Sequence, residues 1–383
     1  MTAGKFDLSN IVRPKIYNLE PYRCARDDFT EGILLDANEN AHGPSITIST
    51  GFEDLHRYPD PHQVKFKSLM AQFRNKNSKL SVEPLLTSDN LCLGVGSDES
   101  VDALIRACCI PGKQKILINP PTYGMYSICA AINDVGVVKI PLTYEDNTFQ
   151  LNVEKILDTL RSDQDIKLVF ITSPGNPTGQ YINLADIERI CSSWLNGIVV
   201  VDEAYIDFGG ESASPLVNKY PNLAVFQTVS KSFGLAGIRI GITFASKELS
   251  SVLNAMKAPY NISTMASQLG VNALSDKSIQ IMQENATKIN KEKFRVLKEL
   301  TSLDCVEDQQ IGGLDANFIM IRMKNRDIAK QVYLNLATKA KVVVRYRGTE
   351  LGCAGGLRIT IGTKEENDRL IKEFKNITDQ LLK

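Results

Sequence analysis

The chain has no surplus of charge: its 44 Lys and Arg are matched by 44 Asp and Glu. That balance argues against a nucleic-acid or anionic-membrane partner, and no basic stretch is interleaved with aromatics. No apolar run approaches the ~20 residues of a membrane span. The opening Met1-Thr2-Ala3-Gly4-Lys5-Phe6-Asp7 has no apolar signal core, so a soluble cytoplasmic protein is expected. Histidine is scarce: His42, His56 and His62 all fall in the polar N-terminal third, which leaves little for a His-based metal site. The eight cysteines show no metal-ligand spacing and no repeated framework, and no metal is expected. Cys108 and Cys109 stand side by side on an expected helix and read as buried apolar residues. No glycine-rich loop ends in Gly-Lys-Ser/Thr, and no nucleophile elbow appears, which argues against a P-loop hydrolase and a Ser/His/Asp hydrolase.

What is present centres on one lysine. A short apolar run, Leu223 to Phe226, leads into Thr228-Val229-Ser230-Lys231-Ser232-Phe233-Gly234, and Arg239 follows eight residues after Lys231. A lysine at the end of a buried strand is costly unless its amine is neutralised or covalently occupied. Bonding to the aldehyde of a cofactor does that. Thr228, Ser230 and Arg239 are suited to hold such a cofactor's phosphate. Alone, this is an ordinary lysine after a strand. Three other segments supply the rest of a cofactor site.

Gly197 to Asp202 is an unbroken β-branched run that reads as a strand buried on both faces. Asp202 closes it, at the strand end where ligands collect in open α/β sheets. A carboxylate there can pair with a protonated pyridine nitrogen and keep the ring an electron sink. Tyr205, three residues on, is placed to donate to a ring oxygen. Lys167 to Thr172 reads as another buried strand. It ends in Ser173-Pro174-Gly175-Asn176-Pro177-Thr178-Gly179, where Asn176 offers an amide to a negatively charged ring oxygen. Leu91 to Ser100 reads as strand, glycine turn and helix start. Its backbone at Gly96, Ser97 and Asp98 suits a phosphate. The Asp98 and Glu99 carboxylates would repel that phosphate if they faced it, so the backbone must do the holding.

From Asp54 to about Leu274, strand candidates alternate with helical spacing, which argues for an α/β sheet. They are Lys115–Asn119, Leu168–Thr172, Ile198–Asp202, Leu223–Val229 and Ile238–Phe244, with helical patterns at Val153–Leu160 and Leu184–Leu195. A long helix is expected from Ser275 to Leu300. Short strands then follow at Ala316–Arg322, Val342–Arg345 and Leu357–Ile361, before a closing helix from Lys364 to Leu382. The expected fold is a large domain with a mostly parallel sheet flanked by helices, plus a smaller α+β domain. The expected division is an arm, 1–40, associated with the small domain; a large cofactor-binding domain, 41–274; and a small domain, 275–383. No repeat or low-complexity linker is seen.

Together these segments resemble the fold-type I pyridoxal-phosphate aminotransferases, class II subgroup, over nearly the whole chain. The match includes Glu20-Pro21-Tyr22 to Arg26, Pro120 to Tyr126 and Gly356 to Thr363; Asp36-Ala37-Asn38-Glu39-Asn40, Arg57-Tyr58-Pro59-Asp60 and the spacing from Arg345 to Arg358 narrow the resemblance to the histidinol-phosphate aminotransferase family. The resemblance implies pyridoxal 5'-phosphate as cofactor, with Tyr123 stacked on its ring. It implies a homodimer with shared active sites, in which Tyr58 reaches the partner's cofactor phosphate. It implies small-molecule substrates, histidinol phosphate and glutamate or 2-oxoglutarate. Arg358 would receive their anions, Arg345 would add donors, and Tyr22 would sit at the substrate mouth. Arg347 reads as surface. Gly175 stands where the family often has a second asparagine, and Ser232-Phe233-Gly234 also varies from some members. Rival readings are an aromatic-amino-acid aminotransferase or threonine-phosphate decarboxylase of the same fold, and a non-catalytic cofactor-sensing regulator.

Overall fold

The computed structural model describes residues 6–18 and 55–382. In chain order it runs α1 (Pro14–Tyr17), α2 (Val64–Asn77), β1 (Leu91–Val95), α3 (Ser97–Cys108), β2 (Lys115–Ile118), α4 (Met125–Ile132), β3 (Gly136–Lys139), α5 (Val153–Ser162), β4 (Ile166–Thr172), α6 (Leu184–Ser193), β5 (Ile198–Asp202), β6 (Leu223–Thr228), β7 (Ile240–Ala245), α7 (Lys247–Met256) and α8 (Thr264–Ala273). A second group follows: α9 (Asp276–Thr301), β8 (Phe318–Arg322), α10 (Ala329–Thr338), β9 (Arg345–Tyr346), β10 (Gly356–Thr360) and α11 (Lys364–Leu381).

β1 to β7 form one sheet in the order β1-β7-β6-β5-β4-β2-β3. It is parallel except at β7, which runs against both of its neighbours. The central strands are apolar on both sides because both sides are covered, and every residue of β4, β5 and β6 is buried. Alternation sorts their side chains between two cores. Val169, Ile171, Val199, Val201 and Val225 pack with α2, α5 and α6 through Phe66, Met70, Ile156 and Ile190. Leu168, Phe170, Val200 and Phe226 pack with α3, α4 and α7 through Leu104, Ile105, Tyr126 and Leu249. Each such side chain contributes about 1.5–3 kcal/mol of burial.

The small sheet, β8-β10-β9, is antiparallel. Val296 and Leu300 of α9, Val332 and Leu336 of α10, and Leu370 and Phe374 of α11 build a third core beside it. Thr363 and Glu366 form a capping box that starts α11.

Two sequence expectations meet a different local structure. Val342 to Val344 do not enter the small sheet; pairing starts at Arg345. The Val342 N–H instead bonds the Leu336 carbonyl at 2.9 Å, finishing α10, and Val343 stays 74% exposed. Ala236–Ile238 is a single 3₁₀ turn, so β7 begins only at Ile240. The short edge strand β3 carries too little apolar pattern to have been anticipated. The expected arm lies largely outside the described residues. Its described part, 6–18, packs on the large sheet's helices: Leu8, Ile11 and Val12 join the core of α3 and α7, and the Arg13 N–H bonds the Ala107 carbonyl at 2.9 Å.

Candidate active site

The carboxyl ends of β1, β4, β5 and β6 meet at one edge, where they deliver Gly96, Thr172, Asp202 and Thr228. β7 runs the other way, so it starts at that edge and brings Arg239 with it. This antiparallel strand is why an arginine so far along the chain lands beside Thr228: Thr228 pairs with Gly241, and Val95 with Ile240. A cavity of ≈160 Å³ opens there, lined by Ser97, Asp98, Tyr123, Thr172, Asn176, Asp202, Ala204, Tyr205, Thr228, Ser230, Lys231, Ala236 and Arg239. The sequence segments that named these residues are far apart in the chain and converge on one space.

At one end of the cavity is an anion cradle. α5, α7, α8, α9 and α11 each start with a side chain that caps the backbone. α3 starts at Gly96 with no side-chain cap, so its first N–H groups are left to face the cavity. Both first-turn carboxylates are engaged elsewhere: Glu99 accepts from the Val95 N–H, and Asp98 accepts from the Tyr123 hydroxyl at 3.0 Å. Gly96 has φ +79, and a Cβ there would come within 2.3 Å of the Arg239 guanidinium. A Cβ on Gly241 would come within 2.3 Å of the Gly96 backbone. Two glycines therefore permit the close approach of helix start and arginine. Arg239 takes the left-handed region itself, φ 54, and pairs with no carboxylate among the described residues. The Thr228 hydroxyl sits 2.9 Å from the Ile240 carbonyl and 2.8 Å from the Ser230 hydroxyl, which ties the floor of the cradle together.

At the other end is Asp202, 4% exposed. Burial pushes its carboxyl up to about 6, against the lowering effect of the Tyr126 hydroxyl. Tyr126 donates to it at 2.7 Å, and the Ala204 N–H donates at 3.2 Å. Lys231 reaches the same cavity. Burial holds its amine below the usual lysine range, assisted by the positive charges of Arg358 and Arg239. Its Nζ lies 5.8 Å from the centre of the Tyr205 ring. Tyr205 is itself packed edge-on against Phe318 at 5.2 Å. Asn176 is 8% exposed, and its carbonyl oxygen accepts from Arg358. That bond turns the amide nitrogen of Asn176 away from Arg358 as the free donor. Tyr123 packs edge-on against Tyr126, 5.6 Å between ring centres.

Arg358 is delivered by β10 from the small sheet, over the Phe318 ring at 5.1 Å. Its cross-strand partner is Arg345, so the two guanidinium stems leave the sheet on one face. Tyr58 is placed differently: it is 52% exposed, stacks on Tyr260 at 4.6 Å, and does not line the cavity of its own chain. Tyr22 lies outside the described residues.

Two residues needed the structure to be seen. Tyr126 was visible only as part of a motif. One helical turn beyond Tyr123, it is fully buried and holds Asp202 while touching the Thr172 hydroxyl at 2.9 Å. Arg347, read as surface, is half-buried; it pairs with Glu350 at 2.9 Å, and its charge acts on Arg358 and Tyr205. The alternation of arginines looked like a solvated strand face, but β9 ends at Tyr346 and Arg347 turns inward past it. A larger cavity of ≈980 Å³ adjoins Lys231 between the 232–235 loop, α8, α9 and residues 361–366. It has neither Asp202 nor Arg239 in its wall, so size does not locate the chemistry.

A lysine, a buried strand-end carboxylate, an oriented amide and an anion cradle in one cavity define a cofactor-dependent group-transfer site on an α/β sheet. Residues 30–374 match the family described as aminotransferase class I and II, and the chain belongs to it. Over 375 residues it is 62% identical to the histidinol-phosphate aminotransferase of Saccharomyces cerevisiae, covering 97% of each chain. It is 53% identical to that of Candida maltosa over 390 residues, covering 98% of this chain and 99% of the relative. In fold, it superposes with TM-score 0.75 on a histidinol-phosphate aminotransferase from Sinorhizobium meliloti solved in complex with pyridoxal-5'-phosphate, at 19% identity, covering 90% of each chain. It superposes on the Clostridium acetobutylicum enzyme with TM-score 0.73 at 24% identity, covering 85% of this chain and 92% of that one. The enzyme is a pyridoxal-phosphate-dependent aminotransferase. The residues present fit that group: the glycine-walled cradle suits its phosphate, and the buried Asp202 suits a ring that can be cationic.

Proposed function

We propose that the enzyme transfers an amino group between L-histidinol phosphate and 2-oxoglutarate, giving imidazole acetol phosphate and glutamate in histidine biosynthesis. The observation that carries this reading is the cavity itself, in which Lys231, Asp202, Asn176 and Arg239 converge and over which Arg358 is held. The 62% identity to the Saccharomyces cerevisiae relative supports the choice of substrate.

Pyridoxal phosphate, when bound, supplies an electron sink for the bond being broken. The backbone of Gly96, Ser97 and Asp98, with Thr228, Ser230 and Arg239, holds its phosphate. Asp202 keeps the ring nitrogen charged. Asn176 and Tyr205 hydrogen-bond the ring oxygen, and Tyr123 covers the ring face. Lys231 would anchor its aldehyde, and the Lys231 Nζ would take the proton from the amine-bearing carbon and hold it for the return transfer. Arg358 binds the α-carboxylate of glutamate or the phosphate of the other substrate, since a guanidinium fork accepts either. Arg345 adds donors for the dianion, and Tyr22 lies at the mouth.

The substrate reading is tested by comparing histidinol phosphate, phenylalanine and threonine phosphate on purified enzyme. Histidinol phosphate should be preferred in kcat/KM by about 10²-fold or more, because phenylalanine offers the arginines no phosphate and threonine phosphate brings an α-carboxylate as well as its phosphate to the same two guanidinium groups. Comparable turnover of phenylalanine, or loss of carbon dioxide from threonine phosphate, would move the enzyme to another branch.

The working unit in this reading is a cytoplasmic homodimer, each chain divided into an arm (1–40), a large domain (41–274) and a small one (275–383). Tyr58 would complete the partner's cradle, which accords with its exposure and its place outside its own cavity. Coexpressing Tyr58→Ala and Lys231→Ala subunits then yields heterodimers with one doubly damaged site and one intact site. About half of the dimer's sites should work, following from two-fold exchange. Heterodimers confirmed by mass but inactive would place Tyr58 in its own subunit's site, and full activity in the Tyr58→Ala homodimer would place it outside any site.

A further inference from the structure

Behind the cavity, on the opposite face of the sheet, lies a buried polar chain that the chemistry above does not use. Asp202 and Thr228 face the cavity; their neighbours Glu203 and Gln227 face the other way. Arg74 of α2, 7% exposed, donates from Nε to Gln227 at 2.6 Å and from both terminal nitrogens to Asp207, at 2.6 and 3.3 Å. Gln227 donates onward to Glu203 at 2.7 Å, and the Ala213 N–H and Ser212 hydroxyl donate to the same carboxylate at 2.6 Å each. At its other end, Asp207 accepts from the Ser232 hydroxyl at 2.5 Å. Ser232 is the residue next to Lys231, in the stretch that varies from some members of the family.

Such a network is a poor route to stability. Burying a guanidinium and two carboxylates costs several kcal/mol per charge, and apolar packing of the same volume does as well. Its geometry offers something apolar packing does not. It fixes directions at three points around the lysine: the end of β5, the end of β6, and the first residue after Lys231. The loop beyond is anchored by Phe233, edge-on against Phe73 at 5.7 Å, and by the Leu235 N–H on the Val229 carbonyl at 3.0 Å, but the Ser232 hydroxyl is its side-chain hydrogen bond to the polar chain. Gly234 takes φ +66 with open space around it, and Ala236 and Gly237 are exposed.

We propose that Arg74, Asp207 and Ser232 are positioning residues for Lys231, with Gln227 and Glu203 fixing Arg74 from behind. The Ser232–Asp207 bond holds the loop so that the Lys231 amine points into the cavity rather than toward the larger one beside it. This rests on Lys231 being the lysine that carries the cofactor.

The test uses Ser232→Ala in the cofactor-loaded enzyme, with Ser232→Cys as a near-isosteric variant that keeps only a weak donor. Borohydride should still fix the cofactor on Lys231 in both. In Ser232→Ala the pH midpoint of the visible cofactor band should move by about half a unit or more. Its kcat should fall about tenfold, what one lost hydrogen bond of alignment supplies, and KM should change less than twofold. The cysteine variant should fall between. Val332→Ala, in the small-sheet core, lowers thermal stability far from the lysine and should leave the midpoint unmoved. A parental midpoint and kcat in either Ser232 variant would overturn the proposal, and should Ser232→Ala not fold, the cysteine variant alone decides. Label on a lysine other than Lys231 would sink the underlying reading instead, so the two failures are told apart.

Discussion

Lys231→Ala is expected to fold and to lose transamination by at least about 10⁴-fold, the loss of both covalent attachment and proton transfer. A depressed lysine does not by itself identify the residue. Lys67, Lys257 and Lys293 are also held below the usual range by burial, Lys293 down to about 8. Their amines are spent. Lys67 donates to Asn254 at 2.8 Å, Lys257 to the Pro61 carbonyl at 2.9 Å, and Lys293 to Asn290 and two backbone carbonyls. Lys231 has two arginines and two carboxylates, Asp202 and Asp98, for company and makes no such bond among the described residues. Borohydride treatment of the loaded parent enzyme should therefore label the peptide bearing Lys231 and bleach the yellow band. Stability should hold or rise slightly in the alanine variant, because a cation is removed from between Arg358 and Arg239. Label on Lys67, Lys257 or Lys293, or a variant that still turns over, would refute the assignment.

How much of this was legible in the chain depends on what each feature encodes. β4, β5 and β6 declare themselves because strands covered on both faces must be apolar throughout. Asp202 is legible because it ends such a strand, and Asn176 and Lys231 because each lies in the short loop that follows one. β9 was misplaced because Val342 and Val343 are β-branched, while the bond that decides their fate comes from Leu336 in the preceding helix. Tyr126 was hidden for a different reason: a tyrosine three residues after another, on a helix, looks like core. Only β5 arriving opposite α4 gives it a carboxylate. Arg74 and Ser232 are 158 positions apart, and no local pattern could pair them. Segments that close their contacts within one strand or turn can be read directly. Contacts fixed by the crossing of distant elements require the fold.

Asp202→Asn should lower kcat by about 10²-fold or more with only modest loss of cofactor, since size is kept while the charge that holds the ring nitrogen protonated is lost. The same substitution should have the opposite effect on the stability of the cofactor-free protein. Burial raises the Asp202 carboxyl from 3.8 to about 6 in the folded state. Between those values the folded chain binds the proton that the unfolded chain has released. Stability from this group is thus full below about pH 4 and is lost as pH rises through about 6. At pH 7.5 the ionised, buried Asp202 costs roughly 2–3 kcal/mol. Asparagine removes that cost, though its amide nitrogen faces the Ala204 N–H and gives back about 1 kcal/mol. Cofactor-free Asp202→Asn should therefore be more stable than its parent at pH 7.5, by about 1–2 kcal/mol, with the gap closing toward pH 4. Tyr126→Phe should move the parent the other way at pH 7.5, because the hydroxyl that offsets the burial of the carboxylate is gone. Denaturant titrations of the three cofactor-free proteins at pH 4.5 and 7.5 read this directly. A pH-independent difference between Asp202→Asn and parent would mean that Asp202 does not titrate in this range. Near-normal turnover in the loaded variant would reduce Asp202 to a strand-end acid. The two results together identify a residue kept for catalysis at the expense of the fold.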